Sequence, residues 1–381
     1  MTKNDLEKSQ EIHKKHIVID ARIRRASTGR YVDRLVEHLQ DIDQQNRYSI
    51  LINPEDTWKP RAENFEAVPC PYAQFSLNPG EQFGFARQLK NLKADLVHFT
   101  LNQQPLLYRG KRVTSTLDLT MLRFTRAGKT PVPIFWIKML GYRFLFWYSN
   151  KKSEAIITIS NYVKDDLARH YSFTKGKTTS TYCASEPPLP GKPKSPQYID
   201  SKTPFLLYVG TAFPHKNLTA VIDALPALQI DHPKLKLVLV GKKEQYYEKI
   251  DQYIQDRNYE DSVITTGYIE DSELKWLYQH CVAYVFPSLS EGFGLPGLEA
   301  MVHGAPVVSS NATCLPEVYG DAALYFNPKD SDDIVQKISR ILTDTEFRTL
   351  LIARGHKQAA TYSWRRMAEQ TLEVYTKVLN S

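Results

Sequence analysis

Short apolar runs rich in β-branched residues recur along the chain, separated by segments whose apolar residues have helical spacing. In the first half, these runs predict buried strands at residues 16–20, 48–52, 95–99, 112–117 and 155–159. Tyr31, Leu35 and Leu39 recur every four residues and predict a helix over 30–40, and a second helix is predicted over 160–168. The first half therefore alternates strands with helices.

The second half repeats this alternation, beginning with an apolar run that ends in Gly210. Its predicted strands are 205–209, 235–240, 263–265, 282–286 and 306–308, and its predicted helices are 218–228, 245–257, 271–280 and 296–303. Strands that form continuous apolar runs and alternate with helices indicate parallel sheets covered on both faces. In such sheets, ligands bind at the carboxyl ends of the strands.

Prolines are concentrated between the two halves. The stretch 186–204 contains six of them: Pro187, Pro188, Pro190, Pro193, Pro196 and Pro204. This density excludes both a helix and a central strand, so we interpret the stretch as a linker. The sequence thus predicts an α/β protein with two doubly wound, Rossmann-like domains that face a central cleft, the first over 1–190 and the second over 200–363.

Composition narrows the class of protein. The chain has 381 residues, of which 24% are charged and 42% hydrophobic, and this argues against a disordered, fibrous or polytopic membrane protein. The four cysteines are far apart and lack zinc-ligand spacing, so we expect reduced packing residues and no metal. Residues 1–15 show no signal peptide, and the most apolar stretch, 134–148, is too short to span a membrane. A cytoplasmic protein is therefore expected.

The segment 287–301, PSLSEGFGLPGLEAM, follows a predicted strand and opens a predicted helix. Pro296 suits the first helical turn, and a helix N-terminus preceded by glycines is a phosphate site. Glu291 and Glu299 flank this site, and because carboxylates repel phosphates, we expect them to accept hydrogen bonds from sugar and ribose hydroxyls. In the alternative interpretation, Glu299 only complements the helix dipole and Glu291 is solvated.

The same segment formally matches a dinucleotide-binding fingerprint at Gly292, Gly294 and Gly297, with Glu317 twenty residues beyond the last glycine. That fingerprint belongs to the first strand–helix turn of its domain, whereas this one lies late in the second domain. A nicotinamide-dependent enzyme is therefore disfavoured.

A second candidate ligand-binding loop lies within residues 208–218. Gly210 ends a predicted strand, and Lys216 lies at the start of the next helix, where its mobile charge could reach a diphosphate. Alternatively, Lys216 is an ordinary solvated lysine.

These two loops closely resemble those of glycosyltransferase family 4, whose members are retaining, nucleotide-sugar-dependent enzymes with the GT-B fold. The similarity extends to 27–31, Ser160-Asn161-Tyr162, Gly267-Tyr268-Ile269, 306–308, 315–323 and the helix that starts at Ser363-Trp364. It covers nearly the whole chain. The resemblance implies an acceptor-binding domain at 1–190, a nucleotide-sugar-binding domain at 200–363, and a final helix over 364–381 that packs back on the first domain.

The resemblance also implies a role for each matching residue. Glu299 would hold the ribose hydroxyls, Glu291 the sugar hydroxyls, and Lys216 the diphosphate as it leaves. The remaining donor-binding residues would be Gly210, Thr211, Ile269, Gly292, Phe293, Gly294 and Leu295, and Gly29 and Arg30 would lie on the acceptor side. The donor would be a GDP-sugar or a UDP-sugar, with no further cofactor and no metal.

The chain departs from the family pattern at two positions. Thr211 stands where the family often has a basic residue, which leaves Lys216 as the main phosphate charge, with Lys242 or Lys243 as helpers. Leu117 stands where the family commonly has a histidine next to the residue matching Asp118, which we retain as a catalytic candidate. We predict that His98, at the end of a neighbouring strand, replaces that histidine. The alternatives are that His98 is structural and that activity is reduced or lost.

Positive charge is concentrated in one segment. The net charge is +7, and residues 119–153 contain seven basic residues, no acidic residue and many aromatic residues. This combination predicts contact with an anionic membrane surface or a lipid-linked acceptor. A buried amphipathic helix with a solvated basic face is the alternative. Nucleic acid is not expected, because no nucleic-acid-binding module is recognisable.

The sequence therefore predicts a GT-B glycosyltransferase that transfers a hexose from a nucleoside diphosphate sugar to a glycan or glycolipid, with a mild preference for mannose from the resemblance. A sugar-nucleotide epimerase and a non-catalytic nucleotide-sugar-binding module are the rival interpretations. Leu117 motivates the second of these.

Overall fold

Two parallel β-sheets form the framework of the chain in a computed structural model, which describes residues 14–25, 28–73, 78–124 and 132–381. The first sheet has the strand order β3-β2-β1-β4-β5-β6-β7. Its strands are β1 (His16–Asp20), β2 (Arg47–Ile52), β3 (Phe65–Pro69), β4 (Leu96–Phe99), β5 (Arg112–Thr116), β6 (Ala155–Thr158) and β7 (Thr178–Ser180).

The second sheet has the order β10-β9-β8-β11-β12-β13, and its strand pairs are also parallel. Its strands are β8 (Phe205–Val209), β9 (Lys236–Val240), β10 (Val263–Gly267), β11 (Ala283–Phe286), β12 (Val307–Ser310) and β13 (Ala323–Phe326). The strand order reverses between β1 and β4 in the first sheet and between β8 and β11 in the second. Ligands bind at such reversal points, beyond the carboxyl ends of the strands.

Helices cover the faces of both sheets and connect successive strands. They are α1 (Gly29–Ile42), α2 (Pro79–Leu92), α3 (Thr120–Arg123), α4 (Val132–Lys152), α5 (Asn161–His170), α6 (Leu218–Asp231), α7 (Gln245–Gln255), α8 (Asp271–His280), α9 (Leu295–Val302), α10 (Leu315–Tyr319), α11 (Ser331–Thr343), α12 (Thr345–Ala360) and α13 (Trp364–Leu379). Two doubly wound domains facing each other confirm the predicted fold class.

The predicted central strands and the helices between them are present, with ends that differ by a few residues. The strands that the apolar pattern did not predict are β3, β7 and β13, and all three lie at sheet edges. An edge strand is less buried than a central one, as the partly exposed residues of β3 and β7 illustrate, so its apolar pattern is weaker. The helices α2, α3, α10, α11 and α12 were also not predicted.

The proline-rich stretch 186–204, which the structure describes throughout, contains neither helix nor strand. It lies along the second domain, where Lys275 Nζ donates to the Leu189 and Gly191 carbonyls at 2.8 Å. Helix α13 returns to the first domain and packs on α1, and Lys111 Nζ donates to the Val378 carbonyl at 3.0 Å. The four cysteines are buried and free.

Candidate active site

The loops after β8 and β11 meet at the carboxyl edge of the second sheet, where its strand order reverses. The backbone N–H of Leu289 donates to the His215 carbonyl at 2.7 Å, which fixes one loop on the other. The Lys216 ammonium lies 2.5 Å from the Glu291 carboxylate, and their side chains are 15% and 12% exposed. The structure therefore brings together the two residues expected at the donor sugar and the diphosphate.

Glu291 is held by its own backbone as well as by this ion pair. Its N–H donates to Thr313 Oγ1 at 3.1 Å, and its carbonyl accepts a hydrogen bond from the Cys314 thiol at 3.3 Å. Both partners follow β12, so the loops after three neighbouring strands, β8, β11 and β12, determine where the carboxylate lies. A group fixed in this way needs little rearrangement to bind a ligand.

The three glycines of the formal fingerprint each have a steric explanation. Gly294, with a φ of 92°, precedes α9 in a left-handed conformation that disfavours other residues. A Cβ atom on Gly297 would lie 2.3 Å from Tyr319 Oη, and one on Gly292 would lie 2.2 Å from the Leu117 carbonyl oxygen. The loop also follows β11, the fourth strand of its domain in chain order, and not the first.

The remaining donor-side residues line the same edge of the sheet. The Gly210 carbonyl accepts a hydrogen bond from the Tyr247 hydroxyl at 3.0 Å, and the Thr211 carbonyl accepts one from Tyr208 at 2.8 Å. Phe293 is buried against Tyr182 and Tyr362, so its backbone and not its ring is available to a ligand.

Other residues of the predicted donor set take less direct positions. Ile269 is partly buried and packs against the core of the second domain, and Leu295 is half-buried as the first residue of α9. The predicted helpers Lys242 and Lys243 are exposed and form ion pairs with Glu244 and Asp251.

Arg30 makes a contact that the sequence did not predict. It lies in the first turn of α1, where Gly29 packs so closely on Arg24 that a Cβ atom would lie 1.9 Å from the Arg24 carbonyl oxygen. From there the Arg30 guanidinium crosses the cleft and donates to the Glu299 carboxylate on α9. The expected acceptor-side residue therefore touches the expected ribose-binding residue.

Further contacts across the cleft join the segments that follow β5 and β6 to the glycine loop. Thr120 Oγ1 lies 3.0 Å from Ser290 Oγ, and Ser160 Oγ donates to the Gly292 carbonyl at 2.8 Å. The Leu117 side chain is buried, and its carbonyl faces Gly292. The position of the family histidine is thus at the cleft, but its side chain here is part of the packed interior.

Asp118 lies beside the Lys216–Glu291 pair. Its Oδ1 accepts the Thr120 N–H at 2.7 Å, and its Cβ would lie 3.1 Å from a Cβ on Gly292. Burial raises the pKa of Asp118, the Thr120 hydrogen bonds oppose that rise, Glu291 adds to it, and Lys216 counteracts it. Ionisable groups with shifted pKa values are typical of reactive sites, and Asp118 is such a group beside a lysine–glutamate pair.

Glu317 joins the two domains, a role that the sequence did not predict. Its two carboxylate oxygens accept the backbone N–H groups of Asn161 and Tyr162, both at 2.7 Å, and Tyr182 Oη donates to it at 2.8 Å. A carboxylate at a helix N-terminus is favourable, because it satisfies free N–H groups and complements the dipole. Glu317 therefore attaches α10 of the second domain to α5 of the first.

The expectation that His98 replaces the family histidine is contradicted by its position. His98 is completely buried in β4, with Nδ1 2.5 Å from Tyr375 Oη and Nε2 2.8 Å from Ser115 Oγ. Burial lowers the pKa of His98 to about 3. Both ring nitrogens are occupied beneath α13, which leaves neither for a sugar in the cleft, and the structural alternative describes this residue.

Helix α4 carries an exposed apolar stripe. The exposed side chains are Ile134, Trp136, Ile137, Leu140, Phe144 and Trp147, with Leu140 71% exposed. Lys138 and Arg143 are exposed beside them. The predicted basic residues Arg126 and Lys129 lie outside the described residues. None of the described helices combines the length and apolar character needed to cross a membrane.

Two family models match the chain in succession. One, described as Glycosyltransferase Family 4, matches residues 28–184, and the other, described as Glycosyl transferases group 1, matches residues 193–358. A sequence relative is O-antigen chain mannosyltransferase B of Escherichia coli, which is 34% identical over 230 residues. The match covers 58% of this chain, and the chain spans 60% of the length of that relative.

Solved structures share the fold at low sequence identity. Sucrose-phosphate synthase of Thermosynechococcus elongatus has a TM-score of 0.74 and is 19% identical, with 96% of this chain and 100% of that chain covered. A protein from Anabaena, HepE, solved in complex with UDP-glucose, has a TM-score of 0.71 and is 16% identical, with coverages of 95% and 99%. Similarity at this level of identity concerns the fold.

Proposed function

The chain belongs to glycosyltransferase family 4, with the GT-B fold, and from this premise we propose that it transfers a hexose from a nucleoside diphosphate sugar to a glycan or glycolipid acceptor. We further propose retention of configuration at the anomeric carbon. The observation that carries the proposal is the pair of carboxylates, Glu291 and Glu299, on either side of the α9 N-terminus, each held by a basic side chain.

The reaction builds charge at two places in this cleft. Breaking the bond between the anomeric carbon and the phosphate leaves negative charge on the diphosphate and positive character on the sugar. Lys216 and the N-terminal amides of α9 stabilise the diphosphate charge, and a preorganised site stabilises this charge more than water does. Glu291 then accepts hydrogen bonds from the sugar hydroxyls. The acceptor hydroxyl attacks the anomeric carbon from the front face, its oxygen forms the new glycosidic bond, and its proton passes to the departing diphosphate.

The proposed donor is a GDP-sugar or a UDP-sugar, with mannose preferred over glucose. The name of the E. coli relative supports mannose, and UDP-glucose in the Anabaena structure supports a nucleoside diphosphate sugar in this fold. The proposed residues need no metal for this role, because Lys216 and helix-terminal amides supply the positive charge at the diphosphate. Asp118, beside Glu291, is the proposed group nearest the reacting sugar on the first domain.

A donor panel tests this proposal. The full chain is incubated with GDP-mannose, GDP-fucose, UDP-glucose and UDP-galactose, with and without acceptor glycans, and released nucleoside diphosphate is measured. Release that requires one donor and an acceptor is expected, with the product's anomeric configuration read by NMR. Isomerised donor without acceptor would support the epimerase instead. Nucleotide binding without either reaction would support a non-catalytic module, the interpretation suggested by Leu117 in place of the family histidine.

We also propose that α4 places the acceptor side of the cleft at an anionic membrane surface, as a peripheral contact at the cytoplasmic face. Large apolar side chains on the exposed stripe can enter the lipid interface, and each basic residue near an anionic surface adds about 1 kcal/mol of attraction. Burial raises the pKa of Tyr142 on the same helix, and the Asp118 carboxylate raises it further. Arg143 also donates to the Leu122 carbonyl of α3 at 3.4 Å, so α4 lies beside the segment that follows Asp118, and a lipid-linked acceptor bound at α4 would present its sugar on that side of the cleft.

Vesicle flotation tests the membrane contact. Binding is expected to vesicles that contain phosphatidylglycerol, and to fall in the Lys138→Gln/Arg143→Gln and Trp136→Ser/Leu140→Ser variants, whose side chains are exposed. Ile230→Ser removes an apolar side chain of the second domain that is more exposed than Trp136 or Leu140, and it should leave binding unchanged. Absence of binding at low salt, or equal losses in all three variants, would refute this contact.

A further inference from the structure

The contact between Arg30 and Glu299 crosses the cleft at the donor site. Glu299 is the fourth residue after Leu295, the first residue of α9, so it lies about 6 Å along the helix axis at ~1.5 Å per residue. A guanidinium that contacts this carboxylate is therefore close enough to the helix N-terminus, where the diphosphate is proposed to bind, for a long side chain to reach it. Arg30 approaches that point from the first domain.

The donor site is short of positive charge when only the second domain is considered. Thr211 supplies no charge, and Lys216 is already paired with Glu291. Lys242 and Lys243 are exposed and already paired with Glu244 and Asp251. A bound diphosphate would therefore face a single lysine from this domain, and a guanidinium would fit its oxygens in a bidentate geometry that an ammonium lacks.

The Arg30–Glu299 pair is also suited to exchange its partners. Arg30 is 41% exposed and Glu299 is 21% exposed, and ion pairs open to solvent contribute little free energy, so breaking them costs little. The ribose hydroxyls that we assign to Glu299 would compete with Arg30 for the same carboxylate oxygens. Displacement would release the guanidinium beside the helix N-terminus.

We propose that Arg30 is a second diphosphate-binding cation, held on Glu299 in this structure and moved to the diphosphate when ribose occupies Glu299. This assignment rests on the proposed function in taking a nucleoside diphosphate as the ligand. Arg30 belongs to the first domain and the other donor residues belong to the second, so the exchange ties donor binding to the closed arrangement of the domains. The charge absent at Thr211 is thus supplied from across the cleft.

Calorimetric titrations with GDP, UDP, guanosine and uridine test the exchange. Arg30→Ala is expected to weaken binding of the preferred diphosphate about ten-fold, the typical value of one charge-assisted hydrogen bond. The same variant should bind the matching nucleoside as well as the wild type does, or more tightly, because Glu299 is freed for ribose. The diphosphate affinity of Arg30→Lys should lie between those of the wild type and Arg30→Ala. Arg365→Ala, which breaks an exposed Arg–Glu pair on α13, should change neither affinity.

A charge placed at Thr211 provides a rescue. Thr211→Arg in the Arg30→Ala background is expected to recover most of the diphosphate affinity without changing nucleoside affinity. Equal weakening for diphosphate and nucleoside would make Arg30 merely structural, and unchanged diphosphate affinity would remove it from the donor site; either result overturns the proposal. If Lys216→Ala weakens GDP or UDP binding while Arg30→Ala does not, only the Arg30 assignment fails. If the wild type binds neither GDP nor UDP, both the Arg30 assignment and the proposed function fail.

Discussion

The two carboxylate–cation pairs of the cleft differ in burial and in the domains they join. Lys216 and Glu291 both belong to the second domain and are largely buried, whereas Arg30 and Glu299 come from opposite domains and are more exposed. The geometry of the first pair is set within one domain, whereas the second pair requires the two domains to lie as close together as they do in this structure. The fold thus separates a permanent donor charge from a conditional one.

Lys216→Gln should produce the largest effect, because it removes the permanent charge. We expect kcat for transfer to fall by about 10²–10³-fold, the usual cost of losing one preorganised stabilising group. Lys337→Gln is the matched control, since Lys337 also pairs with a carboxylate but on α11, and its rate should equal that of the wild type. A loss below about ten-fold in Lys216→Gln would mean that the diphosphate charge is held elsewhere.

Glu317→Gln should have a smaller effect, because it weakens closure and leaves the donor loops intact. A neutral amide accepts hydrogen bonds from Asn161 and Tyr162 less strongly than a carboxylate, which costs about 1–2 kcal/mol. We expect roughly ten-fold lower kcat/KM with GDP or UDP affinity within about two-fold of wild type. Glu346→Gln, in the first turn of α12, serves as the control. Equal losses in rate and nucleotide affinity would contradict a role in closure.

His98→Gln should have the smallest effect on transfer, because this side chain lies in the core. The folded protein holds His98 neutral with a pKa of about 3, whereas an unfolded histidine has a pKa of about 6.5. Its contribution to stability is therefore complete above about pH 6.5 and decreases as pH falls towards 3, by about 1.4 kcal/mol per pH unit. Urea unfolding at pH 7.5 and 5.5 should show a larger loss of stability in the wild type than in the variant, because His16 and His303, whose pKa values burial also lowers, contribute equally to both proteins. If His98→Gln instead changed the pH dependence of the transfer rate, His98 would have to be assigned to the active site.

The sequence predicted the central strands and the donor loops because their signals are local. A continuous apolar run marks a strand buried on both faces, and Glu291, Glu299 and the glycines between them lie within one strand–loop–helix unit. Edge strands such as β3 and β7 escaped prediction because they are less buried.

The sequence could not predict contacts between residues far apart in the chain. Arg30 and Glu299 are 269 residues apart, and Glu317 meets Asn161 across 156 residues. His98 was misassigned for the same reason: its strand end suggested the cleft, but the covering residue, Tyr375, lies 277 residues away on α13. Only the packed arrangement of the two domains identifies these partners.

Titration of GDP and UDP into the wild type, Lys216→Ala and Glu299→Ala tests the central claim most directly, namely that this cleft binds a nucleoside diphosphate between its two carboxylate–cation pairs. The account predicts that one nucleotide binds the wild type and that each substitution weakens binding by about ten-fold or more. Unchanged affinity in both variants would contradict the assignment of the site.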